Sequence, residues 1–120
     1  MTTHWNTDTP IYIQLYQQVI KRILDGNVEE GEALPSVRNV AAEYRLNPVT
    51  ISKAYQMLQD EHIVEKQRGK GLFVMPGVKG KILERERESF LSNEWPAILQ
   101  QIKRLKLSTE QLLVSQKENK

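Results

Sequence analysis

Apolar residues recur with the spacing of an α-helix in three successive stretches of the first half of the chain. The first stretch begins after Thr9 and Pro10, a cap and a first-turn proline typical of a helix start, and ends before Gly26, typical of a helix end. Its apolar positions are Tyr12, Leu15, Tyr16, Val19, Ile23 and Leu24. The pattern predicts one amphipathic helix, preceded by a disordered N-terminus over residues 1–9.

The second and third stretches are short helices separated by a three-residue turn, residues 45–47. Ser36 is placed to cap the second helix, and Asn47 with Pro48 forms a strong start signal for the third. The third helix carries its apolar residues at i, i+3, i+4 and i+7, namely Ile51, Ala54, Tyr55 and Leu58. Two short helices joined in this way predict a helix-turn-helix.

A β-hairpin is predicted next. Two β-prone runs, residues 63–67 and 72–74, flank a tip that contains Arg68, Gly69 and Lys70. The dipeptide Pro76-Gly77 marks the expected domain boundary. The overall expectation is a mainly α protein with a small β-hairpin, in which residues 10–76 form a winged helix-turn-helix domain.

The tail, residues 77–120, is predicted to be helical and to mediate dimerisation. Pro96 predicts a break near Ser92, with Asn93 as the cap of the following helix. A narrow apolar row continues through this region, and its candidate dimerisation residues are Leu91, Trp95, Ile98, Leu99, Ile102 and Leu105. The same row can instead pack on its own domain, or lie on an anionic membrane surface, which the interspersed glutamates disfavour.

Composition narrows the functional classes. The chain has 120 residues, no cysteine and two histidines, so a thiol nucleophile and a cysteine- or histidine-rich metal site are not expected. No apolar run approaches the roughly 18 residues that a membrane span needs, and the first residues contain no signal-peptide core, so a cytoplasmic protein is expected. The formal net charge of +2 does not itself argue for nucleic acid, because residues 1–76 hold 8 basic against 9 acidic side chains.

The outer face of the third helix carries the candidate chemistry. If the apolar stripe is buried, then Val49, Ser52, Lys53 and Gln56 point away from it, with Thr50 at the margin. Methyl, hydroxyl, amide and ammonium groups are those that contact phosphates and base edges in a major groove. An isolated face of this kind is usually only solvated, but a preceding Arg38 and a basic hairpin tip favour DNA.

Four blocks of the chain resemble the GntR family of bacterial transcription regulators: residues 10–15, 31–38, 47–55 and 68–74. The short helical remainder is similar to the YtrA subfamily, whose C-terminal region serves dimerisation. Together with the outer helix face and the basic hairpin, the resemblance implies a DNA-binding surface made of Ser36, Arg38, Asn47, Pro48, Val49, Thr50, Ser52, Lys53, Gln56, Lys66, Arg68, Gly69 and Lys70. The chain departs from the family pattern at Arg45 and His62, where glycine is common, and at Val49, where a polar residue is usual.

The sequence therefore predicts a non-enzymatic, sequence-specific transcription regulator, expected to be a repressor, that binds a palindromic operator in double-stranded DNA as a homodimer. No cofactor, metal or membrane partner is expected, and a small-molecule effector is left open. The alternative is a winged-helix adaptor that binds proteins and has no specific DNA affinity. It would tolerate Arg38→Ala and Lys53→Ala but not changes in the tail.

Overall fold

The computed structural model describes the backbone of residues 5–118 and the side chains of residues 5–114. Six α-helices and one hairpin lie in this range: α1 Ile11–Leu24, α2 Val37–Tyr44, α3 Pro48–Asp60, β1 Val64–Gln67, β2 Gly71–Val74, α4 Val78–Ser89, α5 Trp95–Arg104 and α6 Thr109–Glu118. Contacts divide the chain into two compact units after Leu83. The part up to Leu83 is called the first unit below, and the part from Glu84 the tail unit.

The start of the helix-turn-helix is as predicted. The Ser36 hydroxyl accepts a hydrogen bond from the backbone N–H of Asn39 at 3.1 Å, and Asn47 Oδ1 accepts one from the N–H of Val49 at 2.9 Å. Pro48 occupies the first turn of α3, where its missing N–H costs no intrahelical bond. The caps fix where both helices begin.

The segment before α1 differs from the expectation. Pro10, not Thr9, directly precedes the helix, and no side chain caps it. Instead the buried amide of Gln14 accepts from the N–H of Asn6 at 3.0 Å and donates to the carbonyls of Asn6 and Thr9. Trp5 packs edge-on against Tyr44, with ring centroids 6.1 Å apart. Trp5, Asn6 and Thr9 therefore have defined contacts with the first unit, whereas residues 1–4 lie outside the described residues.

The core of the first unit lies between α1, α2, α3 and the hairpin. Its side chains have at most 8% of their surface exposed and are Leu15, Val19, Ile20, Ile23, Leu34, Val40, Ile51, Ala54, Tyr55, Leu58, Ile63, Val64, Val74, Val78 and Ile82. Because Val78 and Ile82 of α4 belong to this core, the first unit continues beyond the expected boundary at residue 76. Glu30 caps α4, and the backbone N–H groups of Gly77 and Lys79 lower the pKa of its carboxyl group.

The hairpin is antiparallel, with Val64 opposite Val74 and Lys66 opposite Leu72. A third segment, residues 31–34, borders the other edge of β2: Gly31 N–H donates to the Val74 carbonyl at 2.7 Å and Leu34 N–H to the Leu72 carbonyl at 2.8 Å. The turn-rich sequence of residues 27–32 gave no sign of this pairing. Since β1 occupies the other edge, β2 is paired on both sides. The third segment also connects the hairpin to the residues that precede α2.

In the first unit, two helices end in a left-handed residue that is not glycine. Arg45 follows α2 with φ 55°, and His62 follows the end of α3 with φ 59°. In each case the next N–H closes the helix, from Leu46 to the Ala41 carbonyl at 3.1 Å and from Ile63 to the Leu58 carbonyl at 2.9 Å. The turn geometry that favours glycine is thus retained without it.

We expect Arg45→Gly to raise the free energy of unfolding by about 1 kcal/mol, because a side chain in the left-handed region is strained and glycine is not. Urea denaturation measures the change. Arg45→Ala removes the same charge but keeps the Cβ, so it should give no comparable gain. Equal stabilisation by both variants would show that charge, rather than backbone strain, decides the effect.

In the tail unit the predicted break at Ser92 is wrong. A π-helical segment, Phe90–Glu94, joins α4 to α5, and Glu94 and Trp95 keep right-handed helical dihedral angles. Asn93 lies inside this segment and is not a cap. The wider turn changes the hydrogen-bond register just before Pro96, whose nitrogen has no hydrogen to donate, so the helical path continues without a capped interruption. Ser108 accepts a hydrogen bond from Gln111 N–H and starts α6.

Candidate nucleic-acid interface

The two faces of α3 are as the sequence predicted. At about 100° per residue, Val49, Ser52, Lys53 and Gln56 share one face of the helix. All four are exposed, Thr50 at the margin is half-buried, and the opposite stripe is buried in the core. The remaining candidate contact residues are also exposed: Ser36, Arg38, Asn47, Pro48, Lys66, Arg68, Gly69 and Lys70. This face of α3 is therefore accessible in the first unit.

A groove separates the outer face of α3 from the hairpin. Ser52 and Gln56 line it on the helix side, Lys66 and Leu72 on the hairpin side, and Val37 at the start of α2. Lys66 reaches the groove because it stands opposite Leu72 and two residues after the buried Val64, on the same face of β1. The structure therefore brings candidate residues from α3 and β1 together, next to the first turn of α2, where Arg38 lies.

Tyr55 fixes the chain that leads into α2. Its hydroxyl donates to the Pro35 carbonyl at 2.7 Å, and burial raises the pKa of Tyr55 to about 12. The hydroxyl therefore keeps its proton throughout the physiological range and remains a donor. This bond links the buried side of α3 to the residue before the Ser36 cap, and so helps to set the position of Arg38.

Several candidate side chains are already engaged within the first unit. Asn47 and Ser36 use their side-chain oxygens as helix caps. The Gln56 amide donates to Asp60 Oδ1 at 2.9 Å, one helical turn away. The hairpin tip instead leaves Arg68 and Lys70 exposed around Gly69, whose φ of 76° suits glycine in a tight turn. Ser36 and Asn47 therefore position the backbone, whereas Arg68 and Lys70 do not serve as helix caps.

Comparison with known proteins decides the family. The family described as "Bacterial regulatory proteins, gntR family" matches residues 11–74. The chain belongs to the GntR family. It is 30% identical over 113 residues to the HTH-type transcriptional regulator YhcF of Bacillus subtilis strain 168, and this alignment covers 94% of this chain and 92% of YhcF. It is 41% identical over 78 residues to the HTH-type transcriptional repressor YtrA of the same strain, and this alignment covers 65% of this chain and 60% of YtrA.

A solved structure has a similar fold over almost the whole length of this GntR-family chain. A GntR family transcriptional regulator from Listeria monocytogenes matches with a TM-score of 0.73 and 24% identity, covering 95% of this chain and 98% of that one. The predicted family and the mainly helical winged-helix fold are confirmed, and the chain is a transcription regulator with a DNA-binding domain. No helix in residues 5–118 is long and apolar enough to span a membrane. Among the described residues, no three His, Asp or Glu side chains lie close enough together to hold a metal ion.

One contact of this GntR-family domain had no sequence signal. The Lys53 ammonium nitrogen lies 5.4 Å from the centroid of the half-buried Tyr12 ring, within the range of a cation–π interaction. Tyr12 belongs to α1 and was predicted only as part of its apolar face. The spacing within each helix could not show that α1 crosses α3 at this point.

We expect Tyr12→Leu to weaken operator binding two- to fivefold for each bound subunit, because the ring, worth about 0.5–1 kcal/mol at an exposed site, no longer orients Lys53. Tyr12→Phe keeps the aromatic face and should bind as the wild type does. Fluorescence anisotropy with a labelled duplex gives both affinities. If Tyr12→Phe loses as much as Tyr12→Leu, the hydroxyl rather than the ring matters.

Proposed function

We propose that this protein is a transcriptional repressor that binds a palindromic operator as a homodimer, in the cytoplasm where the chromosome lies. The face of α3 formed by Val49, Ser52, Lys53 and Gln56 enters the major groove, and the hairpin tip contacts the neighbouring backbone. The single observation that carries the proposal is the exposure of this face beside a groove that also holds Lys66. Repression is inferred from the similarity to YtrA, which is named a repressor.

The distribution of cations supports DNA as the ligand. Arg38, Lys53, Lys66, Arg68 and Lys70 are all exposed, although the formal charge of the domain is close to neutral. Their acidic neighbour on β1, Glu65, lies on the strand face opposite to Lys66, because adjacent residues of a strand alternate. Local positive charge therefore adjoins the exposed helix face and suits phosphates on either side of a groove.

The tail unit supports the homodimer. None of its side chains between Glu84 and Val114 is buried, and Leu91, Ile98 and Leu105 are 61%, 41% and 56% exposed. Trp95, Leu99 and Ile102 are half-buried, and Trp95 stacks on Phe90. Such an apolar row on one side of α5 is costly in water, and a second copy with the same row covers it. A dimer also supplies the two recognition helices that a palindrome requires.

Selection from a pool of random duplexes tests the proposal directly. The wild-type protein should enrich an inverted repeat with half-sites about one helical turn, or a multiple, apart. Affinity for that duplex should fall steeply with salt, with a slope of about −0.9 per phosphate contact. Arg38→Ala and Lys53→Ala should each flatten the slope by about two, because a homodimer loses one contact in each copy. Enrichment of no sequence, with tail-dependent binding of another protein, would instead support the adaptor.

A further inference from the structure

Val49 is an unusual residue for its place in the fold. Among the described residues up to Leu83, only Val49 and Leu83 are large apolar side chains that are mostly or substantially exposed, at 61% and 43%. Val49 is the second residue of α3, a helix whose other apolar side chains at core positions are buried. Valine is also a weaker helix former than alanine. Neither packing nor helix stability within the first unit accounts for it.

The surroundings of Val49 indicate what covers it. It lies at the N-terminal end of α3, the end of a recognition helix that meets base edges in a major groove. On the same helix face are the exposed polar residues Ser52, Lys53 and Gln56, and Lys66 lies across the adjoining groove. Polar and cationic groups around one apolar side chain match a surface of phosphates and base edges that contains an apolar spot. In duplex DNA that spot is the C5-methyl group of thymine, the apolar feature of the major groove.

We propose that Val49 is a specificity-determining residue that contacts the thymine methyl group of one A·T pair in each operator half-site. The inference rests on the proposed function, because it needs α3 in the major groove. It adds a base preference: thymine is favoured over cytosine and over uracil at that position. No hydrogen bond is required from Val49, so the preference depends on the methyl group alone.

The test uses the full-length protein and the duplex enriched by the wild type. Each thymine is replaced in turn by deoxyuridine, which removes only the methyl group and keeps the base-pair hydrogen bonds. One position per half-site should lower wild-type affinity about fourfold, the effect of one buried methyl group. For Val49→Ala the same substitution should change affinity less than twofold. Ser52→Ala, a variant on the same helix face, should keep the fourfold deoxyuridine effect whatever its own affinity.

The outcomes separate this inference from the proposed function. Enrichment of no sequence overturns both. A specific duplex in which no deoxyuridine position matters, or in which Val49→Ala loses as much as the wild type at every position, overturns only the role of Val49. Because Val49 is exposed, Val49→Ala should fold normally, and circular dichroism checks this. A fourfold effect in the wild type that is absent in Val49→Ala supports the methyl contact.

Discussion

The double variant Ile98→Glu/Leu105→Glu is expected to be monomeric at micromolar concentration and to bind the two-half-site operator about 100-fold more weakly than the wild type. Both side chains are exposed and belong to the apolar row: Ile98 lies within α5, and Leu105 directly follows it. Glutamate is a good helix former, so the helix is retained while two charges enter the surface that the second copy covers. The lost affinity comes from avidity, because each monomer still contacts one half-site.

The matched control places the same two charges on the opposite side of α5. Ala97 and Gln100 are exposed and lie away from the apolar row at about 100° per residue. Ala97→Glu/Gln100→Glu should therefore remain dimeric and lose far less affinity. Sedimentation velocity and gel shift at one ionic strength compare the three proteins. A dimeric Ile98→Glu/Leu105→Glu protein would show that the copies meet elsewhere.

The local features of the fold could be predicted from the sequence because they depend on neighbouring residues. Ser36 and Asn47 cap helices only a few residues away, and the stripe that includes Ile51 and Leu58 repeats within one helix. The same periodicity assigned Val49 to the outer face. The expected winged helix-turn-helix was thus confirmed down to the helix starts of α2 and α3.

The features that were missed depend on contacts between distant residues. The pairing of residues 31–34 with β2 joins segments about forty positions apart, and nothing in a turn-rich sequence specifies it. The Gln14 amide bonds to the backbone of Asn6 and Thr9, residues that the helical pattern of α1 did not connect to it. The π-helical segment before Pro96 is a local exception, because it accommodates the proline as well as a capped break would have done.

For the candidate interface, the sequence predicted which residues are exposed but not what they touch. The exposure of Lys53 follows from helical spacing, whereas its contact with Tyr12 requires the crossing of α1 and α3. The position of Lys66 in the groove depends on strand register, which the sequence of a four-residue strand does not fix. The groove itself is therefore a property of the assembled domain.

The contrast between Ile51 and Val49, two residues apart on α3, gives the second large expected effect. Ile51 is 0% exposed and Val49 is 61% exposed. Ile51→Ala should lower the free energy of unfolding by about 2–5 kcal/mol, since it leaves a cavity in the core of the first unit. Val49→Ala should change it by less than about 0.5 kcal/mol, because most of the Val49 side chain is exposed. Urea denaturation at a single protein concentration measures both.

The two variants should differ in the opposite direction when their affinity for DNA is measured. At a temperature where Ile51→Ala remains folded, its affinity for the selected duplex should stay close to that of the wild type, because Ile51 supports α3 from the buried side only. Val49→Ala should lose affinity at full stability. Ile51→Val, which removes one methyl group, should cost about 1 kcal/mol of stability and serves as a graded control. If Val49→Ala destabilised the protein as much as Ile51→Ala, α3 would be rotated from the orientation described, and Ser52, Lys53 and Gln56 could not all face DNA.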